Sequence, residues 1–408
     1  MFRVICMRKN LCAGVSSMKF LYIGIDSVNF SPETFKLDVL DKFNGVRQLG
    51  NEVDYICRDE SRIFSIISGN ETRFSFSGGH TPEWEFFQYI LKLLDDQFYD
   101  ILYLKSRMLY PELNLMAQSV KTKKFGTKVI YEPADWPIDE FFRKLLATYR
   151  SEKKFHRLAQ TRKAMITQHM QASNFADWVD TAVVFGLPAR HIWDIPTIAV
   201  GAGIAVDQIH MHTCGEALGE PISMLAVVDN PAFCGYERLF RGLKIYREKD
   251  FHESVTLDIA GSEDATASLR EEASRLGVTD SVHFLGEKSL LEINDLCATH
   301  TIGVSDLGLY LEDRMYNSSW LTKFYSAAGL PFLYTGEDIG MSSKVPFAFK
   351  VPNLDAPINM ELVCEFVWRC RLNAGLAQQE RRFAENHFDW RIIMKQILLF
   401  TATGKLEV

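Results

Sequence analysis

No two of the eight cysteines stand in a C-x-x-C spacing, which speaks against a structural zinc site. They are scattered through apolar segments instead, which suits reduced core thiols in a cytosol. No run approaches 18 uninterrupted apolar residues, so no membrane-spanning helix is expected. The formal charge of −7 leaves no basic surplus for general nucleic-acid binding. Short-period repeats and low-complexity tracts are missing as well. The first 17 residues carry basic side chains but no apolar signal-peptide core, and read as a loose N-terminal extension. "HMH" at 210–212 has only Cys214 nearby as a further ligand, so no metal is expected there.

What is present is an alternation. With 408 residues, 47% of them apolar and 24% charged, the chain exceeds one ordinary core. Two domains of roughly 150–200 residues are expected. Apolar runs predict strands at 19–26, 52–59, 99–105, 127–134, 181–186 and 195–203, with helices between them such as 83–97. A hydrophilic patch at 207–221 reads as a linker. The alternation then resumes: "ISMLAVVDN" leads to "YERLFRGLKIYRE", "SVTLDIAGS" to "ATASLREEASRLG", "SVHFLGE" to "SLLEINDLCATH", and "TIGVSD" to "SSWLTKFYSAAGLPFLYTGED". From Asn359 onward the tail is helical. This is the signature of α/β domains with parallel sheets, whose ligands are sought in the loops after strands. Ser318 and Ser319 stand before a helix there. They are either plain helix caps or part of an anion site at a helix N-terminus.

The segment 257–306 resembles the nucleotide-sugar domain of GT-B glycosyltransferases, particularly the family 4-like enzymes of bacterial surface-polysaccharide pathways. "IPTIAVGAGIAVDQI", "GYERLFRGLKIY", "LGLYLEDR", "AAGLPFLY", "VRQLGNEVDYI", "VIYEPADWPIDEF" and "FDWRIIMKQIL" are similar to further segments of that family, in the right order over about residues 18–402. The resemblance implies a GT-B fold, two Rossmann-like doubly wound domains facing across a cleft. On that reading 1–17 is an extension, 18–206 the acceptor domain, 207–221 the linker and 222–385 the nucleotide-sugar domain. Residues 386–408 form a helix returning to the first domain. The implied activity is that of a hexosyltransferase, moving a sugar with retention from a nucleotide-sugar donor to a glycan or lipid-linked glycan in polysaccharide biosynthesis. The donor is a substrate, so no cofactor is implied. The setting is the cytoplasm, with a peripheral station on the inner face of the plasma membrane as a further expectation.

In such a reaction negative charge builds on the leaving diphosphate, and basic side chains and helix N-termini would stabilise it. The resemblance makes Arg238, Gly308, Arg314, Ser318, Ser319 and Lys323 donor-binding candidates, with Gly286, Glu287 and Lys288 at the turn that receives the base. The departing phosphate itself helps deprotonate the acceptor, so no dedicated nucleophile is needed. Glu132, Asp135 and Asp139 cluster after the fourth strand. Glu132 and Asp139, with Lys323, are the candidate catalytic residues, although Asp139 also suits a helix cap. His80 lies in a glycine-rich loop, either structural or functional.

Several family positions hold other residues here. Leu321 and Cys234 stand where the family places lysines, Phe324 and Tyr316 where it places glutamates, and Ala202 where it places an asparagine. Its arginine position falls near Asp229 or Asn230, and the loop 26–36 lacks the usual glycine pair. A second reading follows from these departures: a non-catalytic GT-B partner or scaffold subunit of another glycosyltransferase.

One further segment is unusual. Residues 140–170 carry eight Lys and Arg against two Glu, a net +6. At helical spacing Arg143, Lys144, Arg150, Lys154 and Arg157 flank an apolar face of Phe141, Phe142, Leu145, Leu146 and Tyr149. Such a helix either lies on an anionic membrane or packs on the sheet with solvated charges outward.

Overall fold

The computed structural model describes residues 17–25, 39–58, 61–123, 126–212, 221–228, 230–249, 254–341 and 344–405. The N-terminal extension up to residue 16, the loop 26–36, residues 213–220 of the expected linker and Asp229 lie outside them. Two compact units emerge: residues up to Val200 with the chain end from Ile393, and Gly201–Ile392.

The first unit is built on nine strands: β1 (Lys19–Gly24), β2 (Glu52–Arg58), β3 (Arg62–Ile67), β4 (Asn70–Ser75), β5 (Ile101–Ser106), β6 (Lys128–Pro133), β7 (Thr181–Phe185), β8 (His191–Ile192) and β9 (Ile195–Val200). Their spatial order is β4-β3-β2-β1-β5-β6-β7-β9-β8. The six strands from β2 to β9 across this sheet run parallel. Helices α1 (Asp41–Gln48), α2 (Pro82–Asp96), α3 (Pro111–Lys123), α4 (Ile138–Ser151) and α5 (Phe155–Ala176) fill the crossovers. Period-two alternation decides what covers each face. Leu21, Ile23, Leu102 and Leu104 pack with Phe86 and Ile90 of α2 and Leu113 of α3. Tyr22, Tyr55 and Tyr103 gather around Phe43 of α1, ring centroids 5.0, 5.9 and 5.2 Å away. Thr81 starts α2 by accepting the Trp84 N–H, with Pro82 in the first turn.

The antiparallel β3–β4 hairpin was not expected from the sequence. Every position of β4 is exposed, so the strand has no buried face to impose an apolar alternation. The single basic helix expected over 140–170 is also corrected. The chain breaks at 152–154, where Lys153 turns it with φ +56°, and Arg157 therefore belongs to a different helix from Arg143, Lys144 and Arg150.

The second unit holds six parallel strands: β10 (Ile222–Val227), β11 (Val255–Ala260), β12 (Val282–Gly286), β13 (Ile302–Val304), β14 (Phe332–Thr335) and β15 (Ala348–Val351). Their order, β12-β11-β10-β13-β14-β15, is the 3-2-1-4-5-6 of a dinucleotide-binding sheet. Its switch point lies between β10 and β13. The helices are α6 (Pro231–Cys234), α7 (Glu237–Glu248), α8 (Glu263–Leu276), α9 (Leu290–Cys297), α10 (Trp320–Ala328), α11 (Met360–Arg371), α12 (Leu376–His387) and α13 (Trp390–Thr403), the last passing from this unit into the first. Local sequence sets their ends. Ser262 accepts the Ala265 N–H, Gly277 closes α8 in the left-handed region, and Ser289 with Glu292 forms a capping box for α9. Residues 209–212 belong to this unit. The His212 N–H donates to the Ala328 carbonyl at 2.8 Å, and the Ile209 carbonyl accepts from Arg381 at 2.7 Å.

At the switch point the loops after β10 and β13 bond to each other. The Leu307 N–H donates to the Cys234 carbonyl at 2.9 Å and the Gly308 N–H to the Phe233 carbonyl at 2.8 Å. Gly235 makes this approach feasible: its φ is +59°, and a Cβ there would stand 2.5 Å from the Gly308 Cα. Gly235→Ala should therefore cost about 2 kcal/mol from backbone strain and overpacking together. An unchanged urea midpoint would show that the two loops separate without penalty.

Candidate functional site

Helix α10 leaves the carboxyl edge of the second sheet, between β13 and β14, so its N-terminus opens where doubly wound units receive ligands. Ser319 occupies the N-cap and makes no side-chain capping bond. Ser318 turns the other way: its Oγ accepts the Ala202 N–H at 2.6 Å and donates to Asp338 at 3.4 Å. Thr322 Oγ1 donates to the same carboxylate at 3.0 Å. Lys323, fully buried, forms an ion pair with Asp338 and donates to Thr322 Oγ1 at 3.1 Å. Burial pushes the Lys323 ammonium below its ordinary pKa, against the opposing pull of Asp338. The side chain faces inward, onto Asp338 and Thr322 at the helix start, and its expected roles at a donor phosphate and in the chemistry remain a proposal.

Arg238 is tied into the fold in a similar way. It is buried, and its guanidinium donates to three backbone carbonyls, Ala356 at 2.9 Å, Leu307 at 2.8 Å and Pro352 at 2.7 Å. It holds the loops after β13 and β15 together through these three bonds. Arg314 behaves differently. Its guanidinium rests 5.2 Å from the Phe233 ring centre, and among the described residues no carboxylate pairs with it. Because the Phe233 carbonyl accepts from Gly308, the structure brings Arg314 and Gly308 together over the switch point. Asn317 closes the loop by donating to Asp306 at 2.8 Å. Beside Arg314 a hollow of ≈ 330 Å³ is lined by Met315, Gly336, Glu337, Lys350 and Asn353.

Gly286, Glu287 and Lys288 sit two strands away from the switch point, at the end of β12. The Gly286 carbonyl accepts the Gly261 N–H at 2.9 Å, Glu287 is exposed, and Lys288 pairs with Glu292 at 3.5 Å. The charged groups the resemblance implies elsewhere are replaced by apolar packing. Leu321, Phe324 and Cys234 are all buried in cores of this unit.

In the first unit Glu132 is buried at the end of β6. Its Oε2 accepts from Lys42 at 2.7 Å and from the Tyr103 hydroxyl at 2.5 Å, and Lys105 stands 3.3 Å from Oε1. Burial alone would lift this carboxyl, but the ammoniums of Lys42 and Lys105 with those two hydrogen bonds outweigh it and hold the pKa at about 2. The carboxylate is thus held ionised by Lys42 and Lys105, and the catalytic expectation for Glu132 remains a proposal. Asp139 lies in the first turn of α4, mostly exposed, 3.2 Å from His169. Asp135 pairs with Arg107. The clustering expected of Glu132, Asp135 and Asp139 resolves into three separate partnerships. His80 is exposed and stacks on Trp84 at 4.1 Å. Among the described residues no three His, Cys, Asp or Glu come together as metal ligands, and no helix is long and apolar enough to cross a membrane.

Sequence reasoning missed Asp338 and Lys42, the partners of Lys323 and Glu132. Asp338 was within reach, since it is a carboxylate just after a strand, the same signal that singled out Glu132.

The fold is that of GT-B glycosyltransferases. A glycosyltransferase from Rickettsia africae superposes with a TM-score of 0.59 at 12% identity, over 95% of this chain and 98% of its own. Anabaena HepE, solved with UDP, gives 0.59 at 12% identity over 95% and 100%. Sucrose-phosphate synthase from Thermosynechococcus elongatus gives 0.55 at 13% identity, again over 95% and 100%. Neither a protein-family model nor a curated protein sequence matches the chain.

Removing Lys323 would leave the Asp338 carboxylate buried without its cation, so Lys323→Met should cost about 3–5 kcal/mol. The double variant Lys323→Met with Asp338→Leu should recover most of that loss in urea unfolding; equal losses in both would show that the pair is not coupled. Glu132 gives a pH test. Its folded pKa of about 2 lies below the usual 4.5, so its stabilisation is complete above pH 4.5 and is lost as pH falls toward 2. Its full size is on the order of 3 kcal/mol. The stability gap between wild type and Glu132→Gln should therefore narrow over that window, whereas a gap independent of pH would mean the carboxylate is not held ionised.

Proposed function

We propose that the chain transfers a glycosyl group from a nucleotide-sugar donor to a hydroxyl of a glycan or lipid-linked glycan, with retention of the anomeric configuration. The observation that carries this reading is the start of α10. A helix N-terminus without a side-chain cap opens at the carboxyl edge of a 3-2-1-4-5-6 sheet, a ready place for a diphosphate. Arg314, half-buried and without a carboxylate partner among the described residues, supplies the counter-charge, and the buried Gly308 fixes the loop that carries it. In the reaction the bond from the anomeric carbon to the diphosphate oxygen breaks and that to the acceptor oxygen forms. The acceptor proton passes to the leaving phosphate. Charge develops on the diphosphate as it leaves, so the N–H groups of α10 and Arg314 stabilise the transition state more than the ground state. The enzyme works in polysaccharide biosynthesis, in the cytoplasm where activated sugars are made.

A second reading, a non-catalytic partner subunit, is favoured by the burial of Leu321, Phe324 and Cys234 at positions where the resemblance implies charge. Restoring those charges is a poor test, because Leu321 and Phe324 are 1% and 3% exposed and ionised replacements would disrupt the core. Calorimetric titration of the folded protein with UDP, GDP, ADP and CMP separates the readings, UDP first because HepE was solved with it. One nucleotide should bind, and Arg314→Ala should weaken it about tenfold or more by removing a charge-assisted contact, without moving the unfolding midpoint. Failure of all four to bind a folded protein would support the partner subunit.

A further inference from the structure

Helices α4 and α5 pack on each other and are joined by only three residues, 152–154, so they form a hairpin that ends in a tip. Every residue from Arg150 to Arg157 is exposed. Phe155 stands at the tip with 72% of its surface in solvent, among Arg150, Lys153, Lys154, His156 and Arg157. Glu152 is the single acid there, and it pairs with Lys154 at 2.8 Å. Arg143, Lys144, Arg162 and Lys163 continue the positive charge down both helices. Arg143, Arg150, Lys153, Arg162 and Lys163 have no ion-pair partner among the described residues. Of the apolar face expected to meet a membrane, Phe142 is buried within the unit while Phe141, Leu145, Leu146 and Tyr149 are half-buried. What remains free is the end of the hairpin.

We propose that this tip docks on an anionic phospholipid surface, Phe155 entering the headgroup boundary while the surrounding Lys and Arg side chains bind lipid phosphates. Charge complementarity selects the partner: a chain of net charge −7 concentrates +6 in this one segment, so its field orients the tip toward an anionic surface. The exposed phenyl ring selects a bilayer over a nucleic acid, since the ring needs apolar material just below a layer of phosphates. This inference stands independently of the sugar-transfer reading, because binding to lipid is measured without donor or acceptor.

The test is sedimentation of the full chain with vesicles of phosphatidylcholine alone and of phosphatidylcholine with added phosphatidylserine, at low salt. The wild type should bind the mixed vesicles and not the zwitterionic ones. Phe155→Ser should lower the affinity about tenfold, and the double variant Lys153→Glu with Lys154→Glu at least tenfold. Lys244→Glu, an exposed position on α7 in the other unit, should change nothing. All of these positions are exposed, so unfolding midpoints should match the wild type and certify the folds. Absence of binding to the mixed vesicles, equal binding by the tip variants, or tighter capture of an RNA oligonucleotide than of the vesicles would each overturn the proposal.

Discussion

Where helix α10 begins is fixed by one carboxylate. Asp338 follows β14, and it gathers Ser318, Thr322 and Lys323 from the loop and first turn of the helix. Ser318 in turn holds the Ala202 N–H, and Gly201 passes so close to this knot that a Cβ would lie 2.3 Å from the Ile339 carbonyl oxygen. A strand end, a helix start and the segment entering the unit thus share one polar centre. Buried, such a centre holds only while each member is satisfied, since an unpartnered charge there costs several kcal/mol. That requirement commits Ser318 and Thr322 to Asp338. With the Ser319 hydroxyl making no cap, the N–H groups of the helix start keep their claim on an outside acceptor.

The two units repeat a pattern. Each places a buried lysine against a buried carboxylate at the carboxyl edge of its sheet, Lys42 with Glu132 in the first and Lys323 with Asp338 in the second. Arg238 adds a third buried cation, hydrogen-bonded to three carbonyl oxygens and set against the Tyr310 ring. Desolvation ties each of them to its partners. A charge already taken from water is held there by its partners, and recruiting it would strand those partners. Arg314 in the second unit is half-buried instead, and the cations of the hairpin tip in the first are exposed.

The parallel cores were legible because a strand buried on both faces has to be apolar along its length, as "KFLYIG" and "ISMLAV" are. The same logic hid the β3–β4 hairpin. "NETRFS" is exposed throughout, and only Ser68 and Gly69, both with positive φ, mark its turn. The break between α4 and α5 was hidden for another reason. It falls in "SEKK", without glycine or proline, at a lysine that adopts the left-handed region where such residues are uncommon. At the site, sequence showed which residues carry charge but not which way they point. Lys323 and Arg314 look alike in a string of letters. One faces a carboxylate 15 positions further on, and the other lies on a phenyl ring of α6, 81 positions earlier, so only tertiary structure separates them.

The replaced family positions then take on a particular meaning. A diphosphate held by lysine side chains depends on that residue type, whereas one held by backbone N–H groups depends on the direction of a helix and on access to its first turn. Leu321 and Phe324 pack α10 against the sheet, with Tyr325 reaching through to the Leu225 carbonyl at 3.0 Å. They therefore fix that direction more rigidly than flexible charged side chains would. Apolar packing at these points removes side-chain charge and strengthens the scaffold behind the helix start. On the proposed reading, loss of the familiar charges and retention of the helix start are compatible outcomes of one change in packing, with Arg314 as the partly exposed cation nearby.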